Sequence, residues 1–244
     1  MSKCPNISVV ILAYKTEFGI VNFVKQVITS FDKACINDYE LVVVGNYDLN
    51  SDDDSTPHIV RSLVDIDKRV TPVTLLKHGM MGWDARQGFN TAKGDIVALI
   101  DGDGQMPPAD IIRLVQVMRS GEFDLVKTYR IRRQDGKLRR VTSLGFNTIF
   151  RILFPGCYYR DINSKPKLIK RSALEQMNLR CDGWFLDGEI IIEAMKLDLS
   201  FAEIPTTFKK NEWRGSFINL GTVFEMIISL LRYRFENLSG SSKY

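Results

Sequence analysis

Three β-branched apolar runs, separated by stretches of helical periodicity, constrain this chain more than anything else in it. Ile7 to Ala13 reads ISVVILA, Glu40 to Val44 reads ELVVV, and Asp95 to Ile100 reads DIVALI. A strand apolar on both faces has to be covered on both faces, which is the mark of a parallel sheet layered between helices. Between the first two runs, Ile20, Phe23, Val24, Val27, Ile28 and Phe31 recur at helical spacing, giving a strand, helix, strand unit with a right-handed crossover. Thr71 to Leu76 and the helix-like stretch Trp83 to Ala92 form the next unit, which runs into Asp95. The expected class is therefore α/β with a twisted, mainly parallel central sheet.

Pro107 and Pro108 suit a helix start, and Ile111, Leu114, Val115 and Met118 mark the helix before a strand at Phe123 to Thr128, where the parallel half is expected to end. Residues Tyr129 to Arg140 hold six Arg or Lys and read as a solvated loop. A helix is expected from Thr142 to Leu153, then short strands at Lys167 to Ile169 and Phe201 to Ile204 flanking a helix at Leu186 to Lys196. Leu220, Val223, Phe224, Ile227, Ile228 and Leu231 form an apolar stripe opposite Thr222, Glu225, Ser229 and Arg232. Such a helix can lie in a membrane interface, close the core or make an oligomer contact. The expected organisation is a domain over 1–216, divided at 128/129 into nucleotide-binding and acceptor-binding halves, an amphipathic helix over 217–238, and a tail over 239–244.

With 244 residues, 45% of them hydrophobic, the chain can bury one substantial core, and a net charge of +4 is too small to argue for nucleic acid. Cys4, Cys35, Cys157 and Cys181 form no CxxC pair and only His58 and His78 accompany them, which disfavours a zinc site or a disulfide framework. The start does not read as a signal peptide. The longest apolar stretch, Phe217 to Leu231, contains Glu225 and falls short of the roughly 20 residues a membrane-spanning helix needs. These features lead to the expectation of a cytoplasmic protein, peripheral at the inner face of the membrane.

The sharpest local signal is Asp101, Gly102, Asp103, Gly104, Gln105, Met106, Pro107, Pro108, at the carboxyl end of the strongest apolar strand. Ligands of open α/β sheets bind outside that edge. Two carboxylates and an amide oxygen at alternate positions are hard donors suited to Mg²⁺ or Mn²⁺, and a divalent ion there would neutralise a diphosphate leaving group.

With this DxDxQxPP pattern the chain resembles the inverting family-2 glycosyltransferases, specifically the dolichyl- or polyprenyl-phosphate mannosyl- and glucosyltransferase branch. The resemblance implies a glycosyltransferase-A type fold, a nucleotide-diphospho-sugar donor and a polyprenyl phosphate acceptor. It covers nearly the whole chain. Ala13, Tyr14 and Glu17 match the strand end that holds the nucleobase, and Gly82 to Gly88, with Arg86, match the helix before the metal loop. Carried over, Asp103 and Gln105 are metal ligands, and Asp101, beside Gly102, sits at the ribose and the metal. Arg130, and Arg139 and Arg140 with Ser143, match the branch's phosphate-binding Arg and Arg-Arg-x-x-Ser pattern, where guanidinium groups can grip phosphate oxygens. Trp184, Phe185, Asp187 and Glu189 resemble its WFxDxE segment, and Arg214, Gly215 and Ser216 its closing R-G-x-S element, which would grip the diphosphate or the acceptor phosphate.

A phosphate acceptor is already anionic near neutral pH, its second pKa being about 6, whereas a sugar hydroxyl needs a carboxylate base. Asp187 and Glu189 are the candidates for that base, and equally for structural carboxylates. Two departures stand out. Where the family carries VDDGSxDxT, this chain reads Val44, Gly45, Asn46, Tyr47, Asp48, so that Asn46, both donor and acceptor, replaces the base-recognising carboxylate. In DINSKPKLIK, Lys165 takes the place of the glycine usual in the family's DxxSG element. A hydroxyl acceptor and a non-catalytic scaffold remain as rival readings. A nucleotidyltransferase would need a Gly-rich phosphate loop that Tyr14 to Gly19 does not supply.

Overall fold

The computed structural model describes residues 6–49, 53–133, 137–209 and 220–240. Its strands are β1 (Ile7–Leu12), β2 (Tyr39–Val44), β3 (Val70–Val73), β4 (Ile96–Asp101), β5 (Leu125–Arg133), β6 (Lys167–Lys170) and β7 (Phe201–Phe208), in a single sheet of order β3-β2-β1-β4-β6-β5-β7. The helices are α1 (Gly19–Lys33), α2 (Thr56–Ser62), α3 (Met81–Thr91), α4 (Ala109–Gly121), α5 (Lys137–Leu153), α6 (Arg171–Gln176), α7 (Leu186–Lys196) and α8 (Leu220–Gly240). The mixed α/β architecture is the one expected.

The three apolar runs are buried from both sides because alternate residues feed two cores. Val10, Leu12, Val42, Val44, Val97 and Leu99 pack with residues of α3, α5, α7 and α8, while Val9, Ile11, Leu41, Val43, Ala98 and Ile100 pack with α1, α2 and α4. Each such side chain contributes roughly 1.5–3 kcal/mol, so the two-sided burial of β1, β2 and β4 anchors the domain. β1 lies parallel to both β2 and β4, with Leu12 level with Val44 on one side and with Asp101 on the other. The carboxyl ends of the central strands therefore open onto one edge, and the loops that follow them share it.

β6 runs antiparallel to β4 and β5, while β7 returns parallel to β5. The expected loop over Tyr129 to Arg140 is largely regular structure instead. β5 continues to Arg133 because β7 supplies a hydrogen-bonding partner from Leu125↔Phe201 to Arg133↔Phe208, and α5 already begins at Lys137. The density of Arg and Lys had masked a strand whose backbone is paired with β7. β7 likewise extends beyond Ile204, and two helices, α6 and α7, lie between β6 and β7.

The C-terminal helix forms, with a different face inward. Thr222, Met226, Leu230 and Tyr233 are buried, whereas Phe224, Leu231 and Phe235 of or beside the expected apolar stripe are exposed. α8 packs against α5, whose Phe146 and Phe150, with Phe154 just beyond its end, share a core cluster with Met226, Leu230 and Tyr233. Among the described residues, no helix is long and apolar enough to cross a membrane.

Candidate active site

The Asp101 loop leaves β4 at the open edge, and its two glycines are required for different reasons. Gly102 donates its N–H to Leu12 O at 2.8 Å, and a Cβ there would lie 2.8 Å from Ile20 Cδ1 and 3.1 Å from Leu12 O. Gly104 has room around it but adopts φ +74°, a left-handed conformation that costs other residues free energy. Asp103 Oδ1 accepts the N–H of Gln105 at 3.0 Å, which tightens the loop. Gln105 is buried, and it donates Nε2 to Lys209 O at 2.9 Å while its own carbonyl accepts the Lys209 N–H at 2.9 Å. That pairing fixes the carboxamide and leaves Oε1 as the pole with ligand capacity.

The donor set of Asp101, Asp103 and Gln105 Oε1 thus fits a hard divalent ion in chemistry, with one qualification visible in the geometry. Lys165 Nζ lies 3.2 Å from Asp101 Oδ1 and 3.1 Å from Asp187 Oδ2, so one loop carboxylate already faces an ammonium group. Among the described residues no three acidic, His or Cys side chains converge into a closed cage.

Behind this edge lies a buried ionic layer. Asp187, at the start of α7, takes Lys167 Nζ at 2.5 Å as well as Lys165, and Lys167 also donates to Ser164 O at 2.8 Å. Burial pushes the Asp187 carboxyl up, but the two ammonium groups outweigh it and hold it below its ordinary value. Lys167 is pushed down to about 8, chiefly by burial and with Lys127 and Lys165 adding to the effect, although Asp187 pulls the other way. Lys127, also fully buried, pairs with Glu203 at 2.9 Å.

Glu189 points elsewhere. Its Oε1 and Oε2 accept the N–H groups of Arg180 and Cys181, both at 2.9 Å. Burial raises its carboxyl above the usual value, and those backbone bonds only partly offset the rise. The two base candidates therefore serve different segments, and both are bound within the protein.

At the end of β1, Ala13 is buried and donates its N–H to Val44 O at 2.8 Å. Tyr14 donates its hydroxyl to Asp48 Oδ2 at 2.7 Å, with Lys77 Nζ 4.2 Å from its ring centroid. Glu17 is exposed, at φ +46°, with its N–H on Thr56 Oγ1 at 2.9 Å. Asn46 is 2% exposed, donates Nδ2 to Asp84 Oδ1 at 2.8 Å and accepts the Leu75 N–H at 2.7 Å. Asp84 pairs in turn with Lys77. Asn46 and Tyr14 thus meet through Lys77 and Asp84, and the Asn46 side chain organises the strand ends from inside.

Arg86 does not reach this edge: its Nη1 binds Asp182 Oδ1 at 2.6 Å and Arg180 O at 3.2 Å. That tether reinforces a backbone seam in which Met80, Gly82 and Trp83 donate to the carbonyls of Asp182 and Gly183. Arg130 presents Nε and Nη2 to Asp161 at 2.6 and 2.7 Å, and Arg130, ahead of Lys127, outweighs burial to hold the Asp161 carboxyl well below its usual range. Arg140 is exposed and Ser143 half-buried on the first turns of α5. Arg139 lies on the same helix, but its side chain, with Arg214 and Ser216, falls outside the described residues.

Sequence reading missed Lys167, Asp161, Lys77 and Asp84 as site-organising groups, and assigned no role to Lys165. The available signal was the pair Lys165 and Lys167 beside an apolar strand, since a lysine so placed needs a buried carboxylate nearby.

The sequence profile described as Glycosyl transferase family 2 matches residues 8–178. Curated relatives include undecaprenyl-phosphate 4-deoxy-4-formamido-L-arabinose transferases. That of Pectobacterium atrosepticum is 31% identical over 146 residues, covering 60% of this chain and 43% of the relative. That of Proteus mirabilis is 33% identical over 147 residues, covering 60% and 44%. The match thus spans less than half the length of these relatives. Among solved structures, mannosyl-3-phosphoglycerate synthase from Rubrobacter xylanophilus superposes with TM-score 0.74 at 16% identity, covering 98% of this chain and 76% of that one. Glucosyl-3-phosphoglycerate synthase from Mycobacterium tuberculosis, in complex with Mn²⁺, UDP and glucosyl-3-phosphoglycerate, gives TM-score 0.67 at 22% identity, covering 94% and 80%. The fold is that of the glycosyltransferase-A type.

Proposed function

Because the chain belongs to glycosyl transferase family 2, we propose that it transfers a hexose, with inversion, from a nucleotide-diphospho-sugar to a polyprenyl phosphate, using Mg²⁺ or Mn²⁺. The observation that carries the choice of acceptor is the state of the two carboxylates nearest the chemistry. Asp187 is held between Lys165 and Lys167, and Glu189 is bound to two backbone N–H groups, so neither is poised to take a proton from a hydroxyl. A phosphate acceptor, ionised near neutral pH, needs no such base.

In this reading the ends of β1 and β2, with Tyr14 and the Lys77–Asp84–Asn46 group, form the nucleobase side, and Asp101, Asp103 and Gln105 lie along the diphosphate. Asp103 and Gln105 would hold the divalent ion, whose charge would stabilise the departing diphosphate. Lys165 keeps Asp101 and Asp187 in register, and Arg140, Ser143, Arg214 and Ser216 are proposed to receive phosphate oxygens. Arg130, spent on Asp161, holds β5 to the segment before β6 and acts on the acceptor side only by positioning.

A lipid acceptor calls for contact with a membrane surface. Val141, Leu144 and Ile152 are exposed along one side of α5, and Phe224 and Phe235 are exposed on α8, with Arg140 and Arg232 also at the surface. Apolar side chains interspersed with arginines suit an interface with anionic lipid. Calorimetry with GDP, UDP, CDP and dTDP sugars in Mn²⁺ tests the donor: one sugar nucleotide should bind tightly to the native chain and fail to bind Asp103→Ala. Equal binding by both would remove the loop from the donor site.

A further inference from the structure

Asn46 stands where the family pattern carries a base-recognising carboxylate, yet its side chain is turned inward. It is 2% exposed, gives Nδ2 to Asp84 Oδ1 at 2.8 Å and takes the Leu75 N–H on Oδ1 at 2.7 Å. An Asp at 46 would set two carboxylates within hydrogen-bond distance of each other, where both cannot stay ionised. The amide at 46 and the carboxylate at 84 therefore belong together. What Asp84 holds is Lys77, in an ion pair whose side chains are 6% and 5% exposed. Lys77 follows the Tyr47↔Leu76 bridge and donates its N–H to Tyr47 O at 2.8 Å, which places it just past the ends of β2 and β3. Its Nζ lies 4.2 Å from the centroid of the Tyr14 ring, and the Tyr14 hydroxyl donates to Asp48 Oδ2 at 2.7 Å. An ammonium donor and a half-buried carboxylate acceptor are thus fastened to one aromatic side chain.

These surroundings suit a neutral ligand better than a phosphate. Asp84 neutralises Lys77, and burial, the bond to Asp48 and the charges of Asp48, Asp54 and Asp84 together push the Tyr14 hydroxyl well above its ordinary pKa. An anion would meet net negative charge here. Hydrogen-bonding capacity is nevertheless on offer, since an ammonium group has three N–H donors, of which Asp84 takes one, and a carboxylate has acceptor sites beyond the one used by Tyr14. We propose that Lys77 and Asp48, rather than Asn46, read the nucleobase, and that they select a base with a ring N–H beside a carbonyl, as in uracil, thymine and guanine. This rests on the reading of these strand ends as the nucleobase side; Asn46 and Asp84 act in it as positioning residues for Lys77. With the ribose and diphosphate setting the register of the base, cytosine and adenine turn both contacts like to like. Their ring nitrogen brings a lone pair to the carboxylate, and their amino group brings an N–H to the ammonium. One mispaired polar group in such a site costs about tenfold or more in affinity.

The test is calorimetry with UDP, GDP, dTDP, CDP and ADP, free of sugar and at one Mg²⁺ concentration. The native chain should bind one of the first three at least about tenfold more tightly than CDP or ADP. Lys77→Met should bring CDP to within about threefold of that nucleotide, and Asp48→Asn should bring it there or beyond, because an amide N–H can meet the cytosine ring nitrogen. Asp48→Asn keeps an acceptor for Tyr14 at a half-buried position, and so gives the answer even if Lys77→Met, which strands the Asp84 charge, does not fold. Asn46→Asp, which restores the residue type of the family pattern, should weaken every nucleotide or unfold the chain. A native preference for CDP or ADP, an unaltered preference in Asp48→Asn, or tighter binding in Asn46→Asp would overturn the proposal. Nucleotides that bind while these substitutions leave the choice of base unchanged sink this assignment alone, whereas no binding by any nucleotide sinks the nucleobase reading with it.

Discussion

Replacing Asp187 by Asn separates a structural carboxylate from a catalytic base. In the native chain Asp187 is buried between two ammonium groups, at 3.1 Å from Lys165 and 2.5 Å from Lys167. Asn keeps the size but removes the charge, and Lys167, with no exposed surface, retains the Ser164 carbonyl at 2.8 Å. Breaking one side of a buried ion pair typically costs about 3–5 kcal/mol, because the partner charge stays desolvated. For a domain of this size about 1 kcal/mol corresponds to ~2–4 °C, so the melting temperature should fall by roughly 6–20 °C. The assay is thermal unfolding of the ligand-free protein by circular dichroism. A second change, Lys167→Met, removes the stranded charge and should return most of the loss, since neutral replacement of a whole buried pair is often tolerated. The pH dependence has a defined sign. The Asp187 carboxyl is held below its ordinary 3.8 in the fold, so its contribution is complete above that value and fades as pH drops beneath it. The gap between native and variant should therefore narrow in acid. A melting temperature within about 2 °C of native, with turnover reduced ~10²–10⁴-fold, would refute this reasoning and return Asp187 to the role of general base.

Gly82→Ala should destabilise the fold by about 1–3 kcal/mol in chemical denaturation, because the new Cβ would lie 2.4 Å from Cys181 O and 2.6 Å from Gly183 O, both backbone atoms of the seam. The Arg130–Asp161 pair should make the native chain acid-sensitive: Asp161 is held far below 3.8, so stability it contributes is full above that value and is lost as pH falls below it, and Asp161→Asn should flatten that acid limb. On α5, Leu144→Glu with Ile152→Glu should weaken sedimentation with anionic vesicles by at least about tenfold while leaving the melting temperature near native, each exposed side chain being worth about 1.5–3 kcal/mol if it enters lipid. Unaltered sedimentation would remove α5 from the membrane contact.

The fold was legible where burial dictates sequence. Continuous β-branched runs at β1, β2 and β4 can exist only between two cores, and the two clusters of alternate residues are the direct consequence. It was illegible where hydrogen bonding overrides composition: β5 passes through Arg130 and Arg132 because β7, some seventy residues later, completes its ladder. α8 shows the same limit in a helix, since an apolar stripe cannot say which face meets the core when residues such as Thr222 and Tyr233 also bury well. The Asp101 loop could be read from spacing because its glycines and carboxylates are consecutive. The ionic layer behind it could not, because Lys165 precedes β6, Lys167 opens it and Asp187 lies on α7, so their meeting depends on how α7 packs beside β6.

The central claim is sugar transfer to a lipid phosphate, and it is tested most directly by incubating the protein with the sugar nucleotide it binds, Mn²⁺ and vesicles carrying undecaprenyl phosphate, then analysing the lipid fraction by mass spectrometry. The account predicts a new lipid heavier by one sugar residue, joined through phosphate, formed by the native chain and absent with Asp103→Ala. Sugar recovered on a hydroxyl acceptor while the lipid phosphate stays unmodified would contradict it.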